Sequence, residues 1–221
     1  MTTTLGYWDI RGLAEPIRLM LEHAGVSYTQ EKYTAGPAPT FDRSQWLDKK
    51  EKMGLDFPNL PYYIDGDIKM TESWAIMKHI ARSNNLLPEN DSAHLCDQAQ
   101  GVINDFRMSF VMMCYRGNFE ENKKNFFAAL PAKMSRFDDY LGKNKWMSGD
   151  KLTYVDFAFC EILDQLQLME KEVYEKYANV KEYLKTFMAQ SNISKYRSSD
   201  RFRKFPCNGA MAKWGGGQSE E

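Results

Sequence analysis

The sequence is short of the residues that build metal centres and disulfide frameworks. Its 221 residues include only 4 cysteines and 3 histidines. Cys96, Cys114, Cys160 and Cys207 stand far apart, with no C-x-x-C pair, and His23, His79 and His94 are equally scattered. This spacing predicts buried or unpaired thiols rather than bridges, no metal site, and no histidine-dependent triad. Long apolar runs are also missing. The longest, Phe110 to Tyr115, is six residues, against the roughly 20 that a membrane helix requires. No charge of one sign predominates: 29 Lys and Arg face 30 Asp and Glu, a formal net charge of −1. Nothing in that balance draws the chain to nucleic acid or an acidic membrane. The opening MTTTLGYWDIR carries Asp9 and Arg11 where a secretory leader needs an apolar core. A cytoplasmic protein is expected. What the sequence does have is 13 Phe, 12 Tyr and 5 Trp among 43% apolar residues, enough for a sizeable core.

The first 80 or so residues alternate between two periodicities. Thr3 to Trp8 is β-branched and aromatic, as a strand requires. Leu13 to Ala24 places Ile17, Met20, Leu21 and Ala24 at helical spacing, with Pro16 in the first turn and Gly25 as the stop. Tyr28 to Tyr33 reads as a second strand, and TAGPAPT (34–40) as a loop. Pro61 to Asp65 and Ile68 to Thr71 flank Gly66 as a hairpin, and Ser73 stands where it could cap a helix through Trp74, Met77, Ile80 and Ala81. The pattern is βαβ followed by ββα. After NNLLPEND the texture turns helical almost to the end, and the GGGQSEE tail is expected to fray. Thr153-x-x-Asp156 has the form of a capping box with Asp for the usual Glu or Gln; a cap of this kind contributes about 1 kcal/mol to folding. The expected fold class is therefore α/β followed by all-α.

Four segments carry a more specific signal: LGYWDIRGLAEPIRL (5–19), DRSQWL (42–47), GLDFPNLPYYIDGD (54–67) and ESWAIMKHIA (72–81). Together they resemble the cytosolic glutathione transferases, and the Tyr-Trp pair and LDFPNLPY resemble the mu class in particular. The likeness continues through Cys114-Tyr115, residues 149–157 and the ending MAKWG. It implies a thioredoxin-like glutathione-binding domain over 1–83, a linker at 84–90, and a helical-bundle domain over 91–221 that binds the electrophile. The implied reaction joins the thiolate of glutathione to hydrophobic electrophiles in detoxification, with glutathione as co-substrate and no metal. A non-catalytic ligand carrier, or a glutathione-dependent isomerase or peroxidase, remains open on the same scaffold. A disulfide reductase is disfavoured, because no C-x-x-C follows the first strand.

The resemblance also assigns residues. Tyr7 matches the family's catalytic tyrosine, a neutral donor able to hydrogen-bond a thiolate. As a lone tyrosine it would read as core filling. Asn59-Leu60-Pro61 matches a segment with a cis proline whose Leu60 backbone pairs with the cysteinyl part of glutathione. Trp8, Leu13, Arg43, Trp46 and Lys50 match positions around the peptide, the cations and indoles suiting its glycyl carboxylate. Glu72-Ser73 stands where mu-class proteins usually have Gln-Ser, and Trp74 where Asn is usual. Glu72 can accept from the α-ammonium but cannot donate to the carboxylate, which implies altered affinity. Asp105 matches an aspartate that reaches the partner subunit's glutathione, and Phe57 an aromatic key inserted into the other subunit, so a homodimer is implied. Asn104, Met108, Val111 and Tyr115 share one helical face. By spacing alone they could be core; by resemblance they border the electrophile, with Ile10, Leu13, Arg107, Asn208 and Gly209. Tyr115 matches a tyrosine able to protonate a developing oxyanion. Asn104 and Arg107 suggest tolerance of polar or anionic electrophiles.

Overall fold

Strand-forming residues at Thr3–Trp8 produce β1, the strand on which the first unit is built. In the computed structural model, which describes residues 3–217, β1 pairs in parallel with β2 (Tyr28–Tyr33) and antiparallel with β3 (Tyr62–Asp65). β3 turns through Gly66 into β4 (Ile68–Thr71), completing a four-stranded sheet of order β2-β1-β3-β4. The parallel β1–β2 pair needs a crossover, supplied by α1 (Glu15–Ala24). This helix starts two residues after the start expected from its apolar spacing, because Leu13 and Ala14 belong to the entry turn. Pro16 occupies the first turn and Gly25 closes the helix in the left-handed region at φ 69°. α2 (Ser44–Leu47) is a short helix that the sequence left as an unassigned motif.

α3 (Ser73–Ser83) packs against α1 and the β3–β4 hairpin. Its boundary corrects one expectation. Ser73 is the first helical residue rather than the cap; Glu72 takes the capping position, and its side chain makes no capping hydrogen bond. The strand expected from Pro61 begins at Tyr62.

The second unit is helical: α4 (Ala93–Tyr115), α5 (Phe119–Leu141), α6 (Tyr154–Met169), α7 (Ala178–Met188) and the start of α8 (Ser191–Arg197). α6 is buried from Tyr154 through Leu166, as a helix in the middle of a bundle must be, and packs against α4 and α7. The Thr153–Asp156 capping box is present, but the carboxylate does more than cap. It accepts from the backbone N–H of Thr153 and of Met147, both at 2.8 Å, and from the Tyr183 hydroxyl at 2.8 Å. It thus joins the α5–α6 connection, the helix start and α7.

The compact units do not follow the expected division. One comprises the described residues up to Asn84 together with those from Lys195 onward; the other spans Asn85–Ser194. The chain after 194 therefore belongs with the sheet rather than with a domain running from 91 to 221. The expected fraying concerned GGGQSEE, whose residues 218–221 lie outside the described chain. All four cysteines are free and buried. No helix among the described residues is long and apolar enough to cross a membrane.

Candidate active site

Tyr7 sits near the C-terminal end of β1, opposite Lys32 of β2, with its side chain almost fully buried (7% exposed). Its hydroxyl oxygen accepts the backbone N–H of Leu13 at 3.1 Å. A phenol that accepts a backbone N–H becomes a stronger donor in turn, because chained hydrogen bonds polarise one another. The turn that makes this possible depends on Gly12, which lies at φ +46°, and a Cβ there would come within 2.7 Å of the Tyr7 hydroxyl and 2.8 Å of its ring. Sequence spacing gave Gly12 no role, although a glycine shortly after the first strand is the one signal that could have found it. Gly12→Ala should therefore push the phenol off its position and impose left-handed strain of roughly 1–2 kcal/mol. A steady-state assay should show kcat reduced more than the affinity for glutathione.

The same turn is held from two other sides. Arg11 N–H donates to Pro206 O at 2.9 Å and Gly12 N–H to Cys207 O at 3.0 Å. Arg11, fully buried, donates from Nη1 to Lys204 O at 3.3 Å and lies over the Phe202 ring. From α1, Arg18 donates to Ile10 O at 3.0 Å, to Glu15 at 2.8 Å and to Gln30 at 2.8 Å. Glu15 also accepts the Tyr196 hydroxyl at 2.9 Å. Burial works against the Arg18 charge, but Glu15 and its neighbours hold its pKa above the ordinary value. Burial first, and then Glu15, raise that of Tyr196. The C-terminal segment thus clamps the turn carrying Tyr7's partner, through backbone groups that leave no mark in the sequence.

The residues assigned to glutathione in this unit fall into two groups. Trp8 and Trp46 belong to an aromatic cluster with Tyr33 and Tyr62. Trp46 is buried and stacked on Tyr62 at 6.0 Å between centroids, and Trp8 meets Tyr33 edge-on at 6.4 Å. Burial first, and then the hydrogen bond shared with the Tyr33 hydroxyl, raise the pKa of Tyr62. Arg43 is exposed, and Lys50 is paired with Glu51 at 3.3 Å. The second group surrounds the start of α3. The Leu60–Pro61 bond is cis, as the resemblance implied. Asn59 accepts from Leu60 N–H at 2.9 Å and donates to Glu72 at 3.2 Å, bringing the two segments together. Glu72 is held at φ 70°, ψ 109°, a conformation costly for a non-glycine residue and typical of ligand-contacting positions. Beyond it, Ser73 opens α3, where the Glu72 side chain makes no capping hydrogen bond; a helix start of this kind suits a carboxylate. Ile10 and Leu13 are half-buried on the Tyr7 turn. Asn208 is buried (4% exposed), its amide donating to Trp214 O at 3.1 Å, and half-buried Gly209 follows it.

In the helical unit, α4 buries Cys96, Ala99, Ile103, Phe106, Phe110, Met113 and Cys114. The stripe Asn104, Met108, Val111 and Tyr115 is not that core face: Met108 is 42% exposed and Tyr115 37%. Arg107 is half-buried and Asp105 exposed on the same helix. Phe57, on the loop before β3, is 79% exposed.

Residues 3–82 match the family described as glutathione S-transferase, N-terminal domain, and residues 104–200 the one described as glutathione S-transferase, C-terminal domain. Glutathione S-transferase Mu 1 of Rattus norvegicus is 43% identical over 97% of this chain and 99% of its own. Glutathione S-transferase Mu 5 of Mus musculus is 45% identical over 96% and 95%. Among solved structures, the glutathione S-transferase Blo t 8 superposes with a TM-score of 0.88 at 34% identity, covering 96% of this chain and 99% of that one. The Pi-class glutathione S-transferase of Onchocerca volvulus does so with a TM-score of 0.82 at 26% identity, covering 96% and 100%. With likeness of that extent in both halves, around a tyrosine held on a strand–helix turn, the chain belongs to the glutathione S-transferase family, in its mu class.

Proposed function

We propose that Tyr7 is the hydrogen-bond donor that keeps the sulfur of bound glutathione ionised for attack on an electrophilic carbon. The protein is a glutathione transferase, with glutathione as co-substrate. The chemistry it has to manage is ionisation. A free thiol of pKa about 8.5 is only about 3% thiolate at pH 7. Lowering that pKa by about two units requires about 2.7 kcal/mol of preference for the thiolate. A phenol O–H directed at sulfur, strengthened by the Leu13 N–H it accepts, is a suitable source. The observation that carries this reading is the 3.1 Å bond from Leu13 to the Tyr7 hydroxyl beside Gly12.

The remaining assignments follow from the likeness to the family. The γ-glutamyl carboxylate takes the open N-terminus of α3 at Ser73, and Glu72 accepts from the α-ammonium. The cysteinyl backbone pairs with Leu60, beside Asn59. The glycyl carboxylate is met by Arg43, Lys50 and the indoles of Trp8 and Trp46. Asp105 serves the glutathione of a second subunit. The same likeness assigns electrophile contacts to Ile10, Leu13 and Gly209 in the first unit and to Asn104, Arg107, Met108, Val111 and Tyr115 on α4. Tyr115 supplies a proton to developing oxyanions, and Asn208 supports the tail that carries Gly209. The exposure of Met108 and Tyr115 supports a binding rather than a core role for that stripe. We place the enzyme in the cytoplasm.

Steady-state conjugation of neutral and carboxylated nitroaryl chlorides tests the pocket. Arg107→Ala should lower kcat/KM for the carboxylated acceptors several-fold and leave the neutral ones alone; an unchanged ratio removes Arg107 from the electrophile site. The exposed Phe57 fits a dimer in which each copy inserts this ring into the other. Sedimentation should give a dimer in the wild type and a larger monomer fraction for Phe57→Ser. Equal association would take Phe57 out of the interface.

A further inference from the structure

The turn between Tyr7 and Leu13 is also fastened by charged side chains that the reaction itself does not use. Asp9, two residues beyond Tyr7, donates its backbone N–H to Tyr33 O at 2.8 Å and so continues the β1–β2 pairing. Its carboxylate divides between two cations. One oxygen meets Lys32 Nζ at 3.2 Å and the other Arg203 Nη1 at 2.7 Å. Lys32 is the residue opposite Tyr7 on β2, so Asp9 ties the strand beside the phenol to the C-terminal segment. Shortly after Arg203, the carbonyls of Pro206 and Cys207 accept from Arg11 and Gly12. One stretch, 203–207, therefore holds the turn at both ends, by an ion pair at Asp9 and by backbone bonds at Arg11 and Gly12. Just before it, Arg201 pairs with Glu22 of α1 at 2.6 Å and lies over the Tyr28 ring. The space among Asp9, Lys32, Arg203, Glu15, Arg18 and Arg201 is about 10 Å³, room for one water at most, so these groups face one another rather than a ligand. Arg18 is committed to Ile10 O, Glu15 and Gln30 and does not reach Asp9 in place of Arg203.

The Arg203 side chain is 42% exposed and that of Asp9 19%, and an ion pair of such exposure contributes little to global stability. Position is a steeper function: about 1 Å of misplacement at a reacting group costs about 100-fold in rate. We propose that Arg203 is a positioning residue for thiol activation, acting through Asp9 to hold the turn where Leu13 N–H meets the Tyr7 hydroxyl. It touches neither glutathione nor the electrophile. The proposal rests on the reading of Tyr7 as the donor to the thiolate.

Ultraviolet difference titration of glutathione bound to the full-length wild type, Tyr7→Phe, Arg203→Leu, Arg203→Lys and Asp9→Ala tests it, with urea unfolding of each protein alongside. In Arg203→Leu the thiolate band should rise about 0.7 pH unit higher than in the wild type, which leaves about threefold less thiolate at pH 6.5. Its urea midpoint should stay close to the wild-type value, a combination that a merely structural ion pair does not produce. Arg203→Lys, which keeps the charge, should recover most of the shift. Asp9→Ala should shift the band at least as far, and adding Arg203→Leu to it should move the band no further, because the two residues act as one unit. A wild-type band in Arg203→Leu, no recovery by lysine, or a double variant that sums the two single shifts would overturn the proposal while Tyr7→Phe still moves the band. A band unmoved in Tyr7→Phe removes the donor reading, and this proposal with it.

Discussion

Tyr7→Phe should cut kcat/KM at pH 7 by about 25-fold from loss of thiolate alone, as the bound thiol returns from a pKa near 6.5 to about 8.5. The aromatic ring remains, so packing between β1 and the Gly12 turn is preserved, and thermal stability should change little. What disappears is the O–H and the acceptor for Leu13 N–H, whose bond to Tyr7 is 3.1 Å long. The deficit should depend on pH in one direction. Above about pH 9 the thiol ionises without help, and the variant should approach the wild-type rate. A deficit that stayed constant from pH 6 to 9 would mean that Tyr7 orients glutathione rather than ionising it. The profile therefore separates a donor from a merely structural tyrosine.

Asp156→Ala should be the most destabilising single change in the helical unit. Its carboxylate is fully buried and accepts from Thr153 N–H, Met147 N–H and the Tyr183 hydroxyl, each at 2.8 Å. Each buried donor left without an acceptor costs about 1–3 kcal/mol. The loss should exceed about 3 kcal/mol, a large fraction of a domain's usual 5–15 kcal/mol. Expression as insoluble protein, or a urea midpoint far below wild type, is the expected result. Near-wild-type stability would show that the network is dispensable.

A pH dependence accompanies it. Burial pushes the Asp156 carboxyl up to about 6 against the pull of its donors. Its pKa is then higher folded than unfolded, so the folded state holds the extra proton between about pH 4 and 6. This group's contribution to stability should therefore fall as pH rises through that window and stay level above it. Asp156→Asn, with no proton to exchange, should lose that slope even though its overall stability is lower. Urea unfolding at pH 4.5 and 7 in both proteins measures the difference.

Much of this was legible in the chain because local pattern and tertiary role agree. β-branched and aromatic residues marked β1, β2 and β4 to the residue, and Thr153-x-x-Asp156 marked the start of α6. The size of its contribution was not legible, since Met147 and Tyr183 reach Asp156 only in the folded unit. Ser73 was expected as a cap on residue type. The backbone instead places Glu72 at the helix boundary with positive φ, a conformation that no propensity assigns to glutamate. Gly12 had no assigned role in the sequence, because its need to be glycine comes from the ring of Tyr7 lying against it. The return of the C-terminal segment to the sheet unit had no signal in composition or periodicity; only the resemblance grouped Asn208 and Gly209 with Ile10 and Leu13. The segment's backbone bonds to the Tyr7 turn, Arg11 N–H to Pro206 and Gly12 N–H to Cys207, join groups that every sequence possesses. Aliphatic and aromatic residues on α4 read equally well as core or pocket, and only their exposure distinguishes the stripe at 104, 108, 111 and 115.

The most direct measurement is an ultraviolet difference titration of glutathione bound to the wild type and to Tyr7→Phe across pH. The account predicts a thiolate absorbance band that rises about two pH units lower in the wild type than in the variant, with similar affinity for glutathione in both. Coincident titration curves would contradict it and leave Tyr7 as a packing residue of β1.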